Sequence, residues 1–279
     1  MAKAVEGKGE LRIGVGGWTY APWRGSFYPA DLAQKLELEY ASRKLTSIEI
    51  NGTYYGAQKP ATFAKWRDET PAGFVFSVKA PRYVMNRSVL ADAGRGITRF
   101  LTGGVLQLGD KLGPINWQFL PTKEFEAQDF EAFLRLLPKE MSGRALRHAV
   151  EVRHASFRCA EFIALARRYG VAIVIAGDSS YPQLADCTAP FVYARIMGTQ
   201  PNEELGYSDA MLTRWAARVK AWVSGAAPLG MDFVESQGAK DGPRDVYLYV
   251  ISGAKVRNPA AAMSLISKSQ AAPRIAKAK

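Results

Sequence analysis

Acidic, basic and amide side chains recur at the ends of several short apolar segments of this sequence. Three of them are carboxylates, Glu49, Glu151 and Asp178, and these are the candidate catalytic residues. Two facing carboxylates can act as a general acid and base, or as a nucleophile and acid, in the manner of a glycosidase. The opposing interpretation is a network of ion pairs with a purely structural role. We favour a working site, because burying so many charges for stability alone is costly.

Basic residues occupy equivalent positions at the ends of other segments. They are Lys79, Arg153 and Arg195, so that three acids and three bases balance. The two arginines are expected to hold an anionic group. A lysine at a strand end is also where barrel aldolases carry a Schiff-base lysine, but a nearby carboxylate would keep Lys79 protonated and unreactive. We therefore expect Lys79 to bind an anion or to pair with Glu49.

Metal binding has weaker support in the sequence. His154 and the three carboxylates could converge as ligands, but the chain has only two histidines and no HxH or HExxH spacing. We predict no metal and no other cofactor. His154 follows a strand, where it either caps a loop by a hydrogen bond or transfers a proton.

Aromatic residues follow the first two of the apolar segments. Trp18, Tyr20 and Trp23 come after one, and Tyr54 and Tyr55 come after the next. They either pack under a long loop or form a stacking surface for a sugar, a base or another flat ligand. The residues predicted to contact substrate are Trp18, Tyr20, Asn51, Tyr55, Lys79, Gln118, Arg153, His154 and Arg195.

The apolar segments predict strands separated by helices. The strand candidates are Leu11–Gly16, Thr46–Asn51, Phe74–Lys79, Ile115–Phe119, Arg147–Arg153, Val171–Asp178, Phe191–Met197 and Val246–Ile251. Residues at helical spacing lie between them, as in the helix predicted after Ser208, so the pattern indicates parallel β/α units. Eight such units without a linker predict an α/β protein with a single (β/α)8 TIM barrel.

Alternation within the strands predicts where their polar side chains point. Ile48 and Ile50 share one parity while Glu49 and Asn51 share the other, and six strands repeat this arrangement. Since helices cover the outside of such a barrel, the polar parity should face the interior. Active sites of these barrels lie at the C-terminal ends of the strands. There we expect the inward side chains of Glu49, Lys79, Glu151, Arg153, Asp178 and Arg195.

Composition limits the classes of protein to consider. The 279 residues are 48% hydrophobic and 23% charged, which is ordinary for a globular protein. No window predicts a membrane span, residues 1–10 predict no secretory signal, and two cysteines form no disulfide framework, so we expect a cytoplasmic location. The net charge of +11 could attract nucleic acid, although no nucleic-acid-binding motif is present.

The domain boundaries follow from the first and last predicted elements. We expect an N-terminal extension at residues 1–10, the barrel at 11–266 and a basic, disordered tail at 267–279. The connection Ala226–Asp245 is too long for an ordinary loop, so it is expected to be a lid or a partly disordered excursion.

Several longer motifs run in order from about Gly14 to Leu265. They are GVGGWTYAPWRGSFYP at Gly14–Pro29, IEINGTYY at Ile48–Tyr55, GFVFSVKAPRY at Gly73–Tyr83, LGDKLGPINWQFLP at Leu108–Pro121, AVEVRHASF at Ala149–Phe157, FVYARIMG at Phe191–Gly198 and YSD at Tyr207–Asp209. In these motifs the chain resembles the YecE-like proteins, the family known as domain of unknown function seventy-two. The resemblance implies a TIM barrel and implies no activity, because none is established for that family.

The chain departs from the family pattern in two places. Relatives commonly end the last strand with an aromatic residue and an asparagine pair, whereas Ile251 and Ser252 stand here. The connection Ala226–Asp245 is also longer than is usual in the family. A role for those amides therefore does not carry over to this chain.

Taken with the barrel, the polar residues predict an enzyme of hydrolase or lyase type. It would act on a polar or anionic small molecule, sugar-like or phosphate-like, at the C-terminal mouth. The alternative is a non-catalytic binding or accessory protein that engages nucleic acid or another anionic partner through a basic surface and an aromatic rim. A deep pocket that contains the inward polar residues favours catalysis, whereas cations gathered on an outer face favour binding.

Overall fold

Eight parallel strands close into a barrel in the computed structural model, which describes residues 9–235 and 242–270. In chain order the strands are β1 (Leu11–Gly16), β2 (Ser47–Ile50), β3 (Val75–Lys79), β4 (Leu112–Gln118), β5 (Glu140–Met141), β6 (Arg144–Ala145), β7 (His148–Glu151), β8 (Ala172–Gly177), β9 (Phe191–Ile196) and β10 (Asp245–Val250). All but β5 and β6 belong to the barrel, in the order β1-β10-β9-β8-β7-β4-β3-β2. Each barrel strand thus lies beside the one that precedes it along the chain, which confirms the predicted (β/α)8 TIM barrel.

Helices lie between the barrel strands and after the last of them. They are α1 (Glu37–Lys44), α2 (Gly52–Tyr55), α3 (Pro60–Asp68), α4 (Arg82–Met85), α5 (Gly94–Thr102), α6 (Ala127–Arg135), α7 (Ala160–Tyr169), α8 (Asp209–Val223) and α9 (Asn258–Gln270). Local sequence sets several of their ends. Ser208 caps α8, where its hydroxyl accepts a hydrogen bond from the backbone N–H of Met211. Gly170 ends α7 in the left-handed conformation, with φ of 66°.

Strands β5 and β6 form a small antiparallel hairpin that the strand prediction did not include. Its loop is Ser142-Gly143, and both residues have positive φ, 53° and 73°. Positive φ at both loop residues matches the turn that two-residue hairpins favour. The strands are only two residues long, too short to show a period-2 pattern in the sequence.

The barrel interior is filled by one parity of the strand residues, as predicted. Its buried apolar cluster consists of Ala149, Ala172, Val174, Phe191, Tyr193, Tyr247, Tyr249 and Ile251. Polar side chains of the same parity join it, since the hydroxyl of Tyr249 lies 2.7 Å from Ser47 Oγ and 2.6 Å from Ser77 Oγ. The opposite parity, including Ile48 and Val150, belongs to the larger core that the helices cover.

The predicted tail boundary at residue 267 is wrong, because α9 continues to Gln270. Lys268, which was assigned to the tail, lies 2.6 Å from Asp209 through Nζ and Oδ1. The Ala/Lys-rich composition concealed this last turn of helix. Residues 271–279 and 1–8 lie outside the described residues. Glu10, which belongs to the predicted N-terminal extension, lies beside β10. Its carbonyl accepts a hydrogen bond from the backbone N–H of Val246.

The long connection before β10 is anchored near the start of β9. The carboxylate of Asp186 accepts hydrogen bonds from the backbone N–H groups of Val234 and Glu235, at 2.8 and 3.0 Å. Residues 236–241 of this connection lie outside the described residues. Its described part contributes no side chain to the cavity at the barrel mouth, so this part gives no support to the predicted lid.

No helix within residues 9–235 and 242–270 is long and apolar enough to cross a membrane.

Candidate functional site

A cavity of about 630 Å³ opens at the C-terminal end of the barrel. Its floor is polar and is formed by Lys79, Gln118, Arg153 and Arg195, which stand at or just beyond the ends of β3, β4, β7 and β9. Its wall is partly aromatic and includes Trp18, Tyr54, Tyr55 and Trp66. The remaining lining residues are Gly16, Gly17, Thr19, Ile50, Asn51, Gly52, Gln58, Ile251, Ser252, Lys255 and Asn258.

Glu151 is fully buried beneath this floor and is held by donors from three residues. Its Oε1 accepts a hydrogen bond from Arg153 Nη2 at 2.6 Å, and its Oε2 accepts one from Arg195 Nη1 at 2.5 Å. Asn116 Nδ2 donates to the same Oε2 at 3.1 Å. Burial alone would raise the pKa of Glu151, but Arg195 and Arg153 outweigh it and lower that pKa to about 2. The carboxylate is therefore ionised and both oxygens are occupied.

Glu49 is the second buried carboxylate, and it shares Arg195 with Glu151. Arg195 Nη2 donates to Glu49 Oε1 at 2.9 Å, and the hydroxyl of Tyr193 donates to Glu49 Oε2 at 2.6 Å. Burial disfavours the charged form of Arg195, yet the two carboxylates raise its pKa above the ordinary value. Burial and then Glu49 raise the pKa of Tyr193 well above its ordinary value, so the phenol stays protonated and remains a donor.

Neither carboxylate is among the residues that line the cavity, whereas Lys79, Arg153 and Arg195 are. This placement favours a structural role for Glu49 and Glu151 over the catalytic one. A glycosidase-like pair needs carboxyl oxygens that reach the substrate, and here every one of those oxygens accepts a hydrogen bond from the protein. What the carboxylates do is fix the position of the arginines.

Lys79 has a different environment from the one predicted. Its Nζ donates to Gln118 Oε1 at 2.8 Å and lies 4.1 Å from the centre of the Tyr54 ring. Among the described residues no ion pair joins Lys79 to a carboxylate, so the predicted pairing with Glu49 is wrong. Burial, and then the charge of Arg195, lower the pKa of Lys79 to about 8, although Glu49 and Glu151 partly offset them. The lysine is thus much closer to neutrality than expected.

Gln118 Oε1 accepts hydrogen bonds from all three cations of the floor. The donors are Lys79 Nζ at 2.8 Å, Arg153 Nη2 at 3.0 Å and Arg195 Nη1 at 3.3 Å. A neutral amide oxygen supplies only a partial negative charge to these groups. The three cations therefore meet at one point of the cavity floor, where the acceptor that they share is a neutral oxygen.

Asp178 does not join the site, and the prediction that it points into the barrel is wrong. Strand β8 ends at Gly177, and Asp178 takes a left-handed conformation with φ of 53°. This turn breaks the strand alternation, so its Oδ2 accepts a hydrogen bond from Trp215 Nε1 of α8 at 2.8 Å. Asp178 lines a separate cleft with Tyr207 and Gly198.

His154 and Tyr20 also lie apart from the cavity lining. His154 Nδ1 accepts a hydrogen bond from the backbone N–H of Ser156 at 3.3 Å, which is the loop-capping alternative. The ring of Tyr20 packs against Trp23 and lies 4.3 Å from Lys255 Nζ. The other predicted contact residues, Trp18, Asn51, Tyr55, Lys79, Gln118, Arg153 and Arg195, all line the cavity.

Some site residues were missed by reasoning from the sequence. Tyr193 shares its parity with Arg195, so the alternation could have identified it. Trp66 reaches the cavity from α3 and packs edge-on against Trp18 with ring centres 5.0 Å apart, which no local pattern predicts. Asn258 at the start of α9 lines the cavity beside Ser252 and donates to its carbonyl at 3.2 Å.

No cluster of three or more metal-binding side chains occurs in the described ranges.

Known proteins support the fold and the family. The family model described as Protein of unknown function DUF72 matches residues 12–279. The UPF0759 protein YecE of Escherichia coli K12 is 30% identical over 150 residues, which are 53% of this chain and 50% of that protein. The chain thus matches about half the length of its curated relatives.

Solved structures are similar over almost the whole chain. A DUF72 family protein from Thermotoga maritima MSB8 has a TM-score of 0.68 at 20% identity and covers 93% of this chain and 98% of its own. One from Enterococcus faecalis V583 has a TM-score of 0.67 at 16% identity and covers 95% of this chain and 99% of its own. At these identities the likeness shows the fold. Because the family model extends over nearly all of its residues, the chain belongs to the DUF72 family, whose description assigns no function.

Proposed function

We propose that the protein is an enzyme that acts on a small anionic molecule bound at the C-terminal mouth of the barrel. The observation that supports this proposal is that the basic side chains line the cavity, whereas the acidic side chains are buried deeper in the barrel. Lys79, Arg153 and Arg195 line the cavity, whereas Glu49 and Glu151 lie behind them. Of the described residues that line the cavity, none is acidic.

An anion that enters this cavity meets donors already held in place. Glu151 fixes both arginines, and an arginine presents its N–H groups in a planar fork that suits carboxylate and phosphate oxygens. The oxygen of Gln118 occupies the point where the three cations converge. A ligand oxygen with a full negative charge would interact with these cations more strongly than that amide does. Recognition of an anionic group is thus the interaction for which this floor is arranged.

The wall of the cavity fits the rest of such a molecule. Its volume of about 630 Å³ falls within the range of about 300–1,000 Å³ for small-molecule sites. Trp18 and Trp66 form an edge-on aromatic pair in the wall, and aromatic faces of this kind stack on sugars and planar rings. These features support a substrate that carries a ring or a short polyol next to its anionic group.

The alternative, an accessory protein that binds nucleic acid, has less support. It depends on the net charge of +11, part of which lies in the last residues of the chain. Three of the basic residues instead lie in the cavity floor, where Arg195 and Lys79 are about 95% buried. A nucleic-acid backbone is bound on an exposed surface, so cations enclosed in this way favour a small ligand.

The proposal is tested by binding of matched pairs of compounds that differ in one phosphate. Glycerol 3-phosphate is compared with glycerol, and glucose 6-phosphate with glucose, by calorimetry on the full chain. Inorganic phosphate is the minimal probe. We expect the phosphorylated members to bind and the neutral members to bind at least tenfold more weakly.

Two arginine variants locate the binding. Arg153→Gln removes a cation of the floor while Glu151 keeps Arg195 and Asn116 as partners, and it should weaken binding at least tenfold. Arg43→Gln is the matched control, because Arg43 is exposed at the end of α1, which leads into the opposite end of the barrel. Equal weakening in both variants, or no preference for the phosphorylated compounds, would overturn the proposal.

A further inference from the structure

Lys79 is the cation of the cavity floor that has no carboxylate partner among the described residues. Arg153 and Arg195 both pair with Glu151, whereas Lys79 Nζ donates to the neutral oxygen of Gln118 at 2.8 Å. Lys79 is 6% exposed and stands at the C-terminal end of β3, where it lines the cavity. A lysine in this position is desolvated but still open to a bound molecule.

The charged groups that face Lys79 come from several strands and do not act in the same direction. Arg195 and Arg153 share the oxygen of Gln118 with it, so both repel a charge on Nζ. Glu49 and Glu151 attract that charge, but their oxygens are already occupied by other donors. The Tyr54 ring also favours the ammonium form.

Burial and Arg195 prevail in this balance and lower the pKa of Lys79 to about 8. An amine becomes a nucleophile when it loses its proton, and burial next to another cation is a known means to that end. The neutral form of Lys79 is therefore available near neutral pH.

We infer that Lys79 is the nucleophile of this site and forms an imine with the carbonyl carbon of an anionic aldehyde or ketone. The inference rests on the proposed function, since the arginines would hold the anionic group and so bring the carbonyl to Nζ. Arg153 Nη2 and Lys79 Nζ donate to the same oxygen of Gln118, so the anion and the amine would meet within a few ångströms. The substrate class is thus a short carbonyl compound with a phosphate or carboxylate group.

The chemistry of the step balances without any further reactant. The lone pair of the neutral Nζ forms a bond to the carbonyl carbon while the carbonyl π pair moves onto oxygen. A proton passes from nitrogen to that oxygen, which gives a carbinolamine. The hydroxyl takes up one proton from solvent and leaves as water, and the nitrogen lone pair forms the double bond of the protonated imine. Such an imine withdraws electrons from the neighbouring carbon, which is the basis of lyase reactions that break a bond there.

The test is reductive trapping on the full chain with a matched pair of aldehydes. Glycolaldehyde phosphate and glycolaldehyde are each incubated with the protein and sodium cyanoborohydride, and peptide mass spectrometry then locates the modified lysines. We expect Lys79 to be modified at pH 7, faster with the phosphorylated aldehyde, and with a rate that reaches half its maximum near pH 8.

Lys44 is the matched control within the same molecule. It also lies near a tyrosine ring, at 5.8 Å from the centre of Tyr40, but it is exposed at the end of α1. It thus lacks the burial in the barrel mouth that distinguishes Lys79. The variant Lys44→Arg should leave the trapping at Lys79 unchanged, whereas Lys79→Arg should abolish it and keep a cation in the floor.

The outcomes separate this inference from the proposed function. Modification of Lys79 at pH 7 no greater than that of Lys44 would overturn the imine, even if calorimetry shows that phosphate compounds bind. Preferential modification of Lys79 by both aldehydes at equal rates would uphold the reactive lysine and count against the anion site. Loss of the phosphate preference in Arg153→Gln, with Lys79 still reactive, would support both.

Discussion

Arg195 and Glu151 lie 2.5 Å apart, from guanidinium Nη1 to carboxylate Oε2, and both side chains are at least 95% buried. The other end of the same guanidinium, Nη2, lies 2.9 Å from Glu49 Oε1. Glu49 stands on β2, Glu151 on β7 and Arg195 on β9, and none of these strands are neighbours in the barrel. One side chain thus reaches across the barrel and forms ion pairs with two carboxylates from strands that are not its neighbours.

We predict that Arg195→Met destabilises the protein by about 3–5 kcal/mol, because it leaves two buried carboxylates without their shared cation. The change is measured as the free energy of unfolding in urea. Arg153→Met is the matched control and should cost less than half as much, since Glu151 keeps Arg195 and Asn116. Equal costs in the two variants would contradict the central place of Arg195.

Glu151 should make stability depend on pH in acid. Its pKa in the folded protein is about 2, below the ordinary value of 4.5, so its contribution is fully present above pH 4.5 and is lost as the pH falls towards 2. We predict that the unfolding free energy of Glu151→Gln falls less steeply across that window than that of the unchanged protein. Glu39→Gln, at an exposed pair with Arg43, should keep the original slope. Parallel curves for all three proteins would show that Glu151 is not held as an anion.

The ion pairs predicted from the sequence differ from those in the structure, and the physical reason is side-chain length. Strand alternation correctly predicts that Glu49, Lys79, Glu151 and Arg195 point inward, because a strand reverses its side chains at every residue. It also suggests that each charge pairs with its neighbour on the next strand. In the barrel, however, Arg195 pairs with both carboxylates, and Lys79 donates instead to the amide oxygen of Gln118. Which inward groups meet is decided by reach across the barrel, and no pattern along the chain records that distance.

Asp178 shows a second limit, at the point where a strand ends. The alternation holds through Gly177, and Asp178 itself then has a positive φ, so that its side chain turns towards Trp215 of α8. Aspartate is among the residues that accept this conformation, but it does so at a minority of its positions, so the sequence gives no signal for it. The (β/α)8 fold needs only the repeated pattern and was predictable, whereas single residues at strand ends were not.

We predict that Asp178 acts in the packing of α8 and not at the cavity. Asp178→Asn should leave the binding of glycerol 3-phosphate and the trapping of Lys79 unchanged. Trp215→Phe, which removes the indole donor to Asp178 Oδ2, should lower stability by about 1–3 kcal/mol because it removes a hydrogen bond to a half-buried carboxylate. Calorimetry and urea unfolding check the two parts. A tenfold loss of phosphate binding in Asp178→Asn would return this residue to the site.

Gln118 offers the sharpest test of how the floor works, because its oxygen stands where the three cations converge. Gln118→Glu places a carboxylate of nearly the same shape at that point, so the protein itself supplies the anion. We predict that this variant is at least as stable as the unchanged protein and binds glycerol 3-phosphate at least tenfold more weakly. The new carboxylate should also hold the Lys79 pKa higher, so that trapping by glycolaldehyde at pH 7 declines as well.

Gln118→Leu makes the opposite change, since it removes the oxygen and leaves the cations without it. That variant should be less stable, because Lys79 then loses its hydrogen-bond partner, yet it should keep or increase the affinity for the phosphate compound. If Gln118→Glu binds glycerol 3-phosphate as well as the unchanged protein does, then the anion does not bind at the point where Lys79, Arg153 and Arg195 meet.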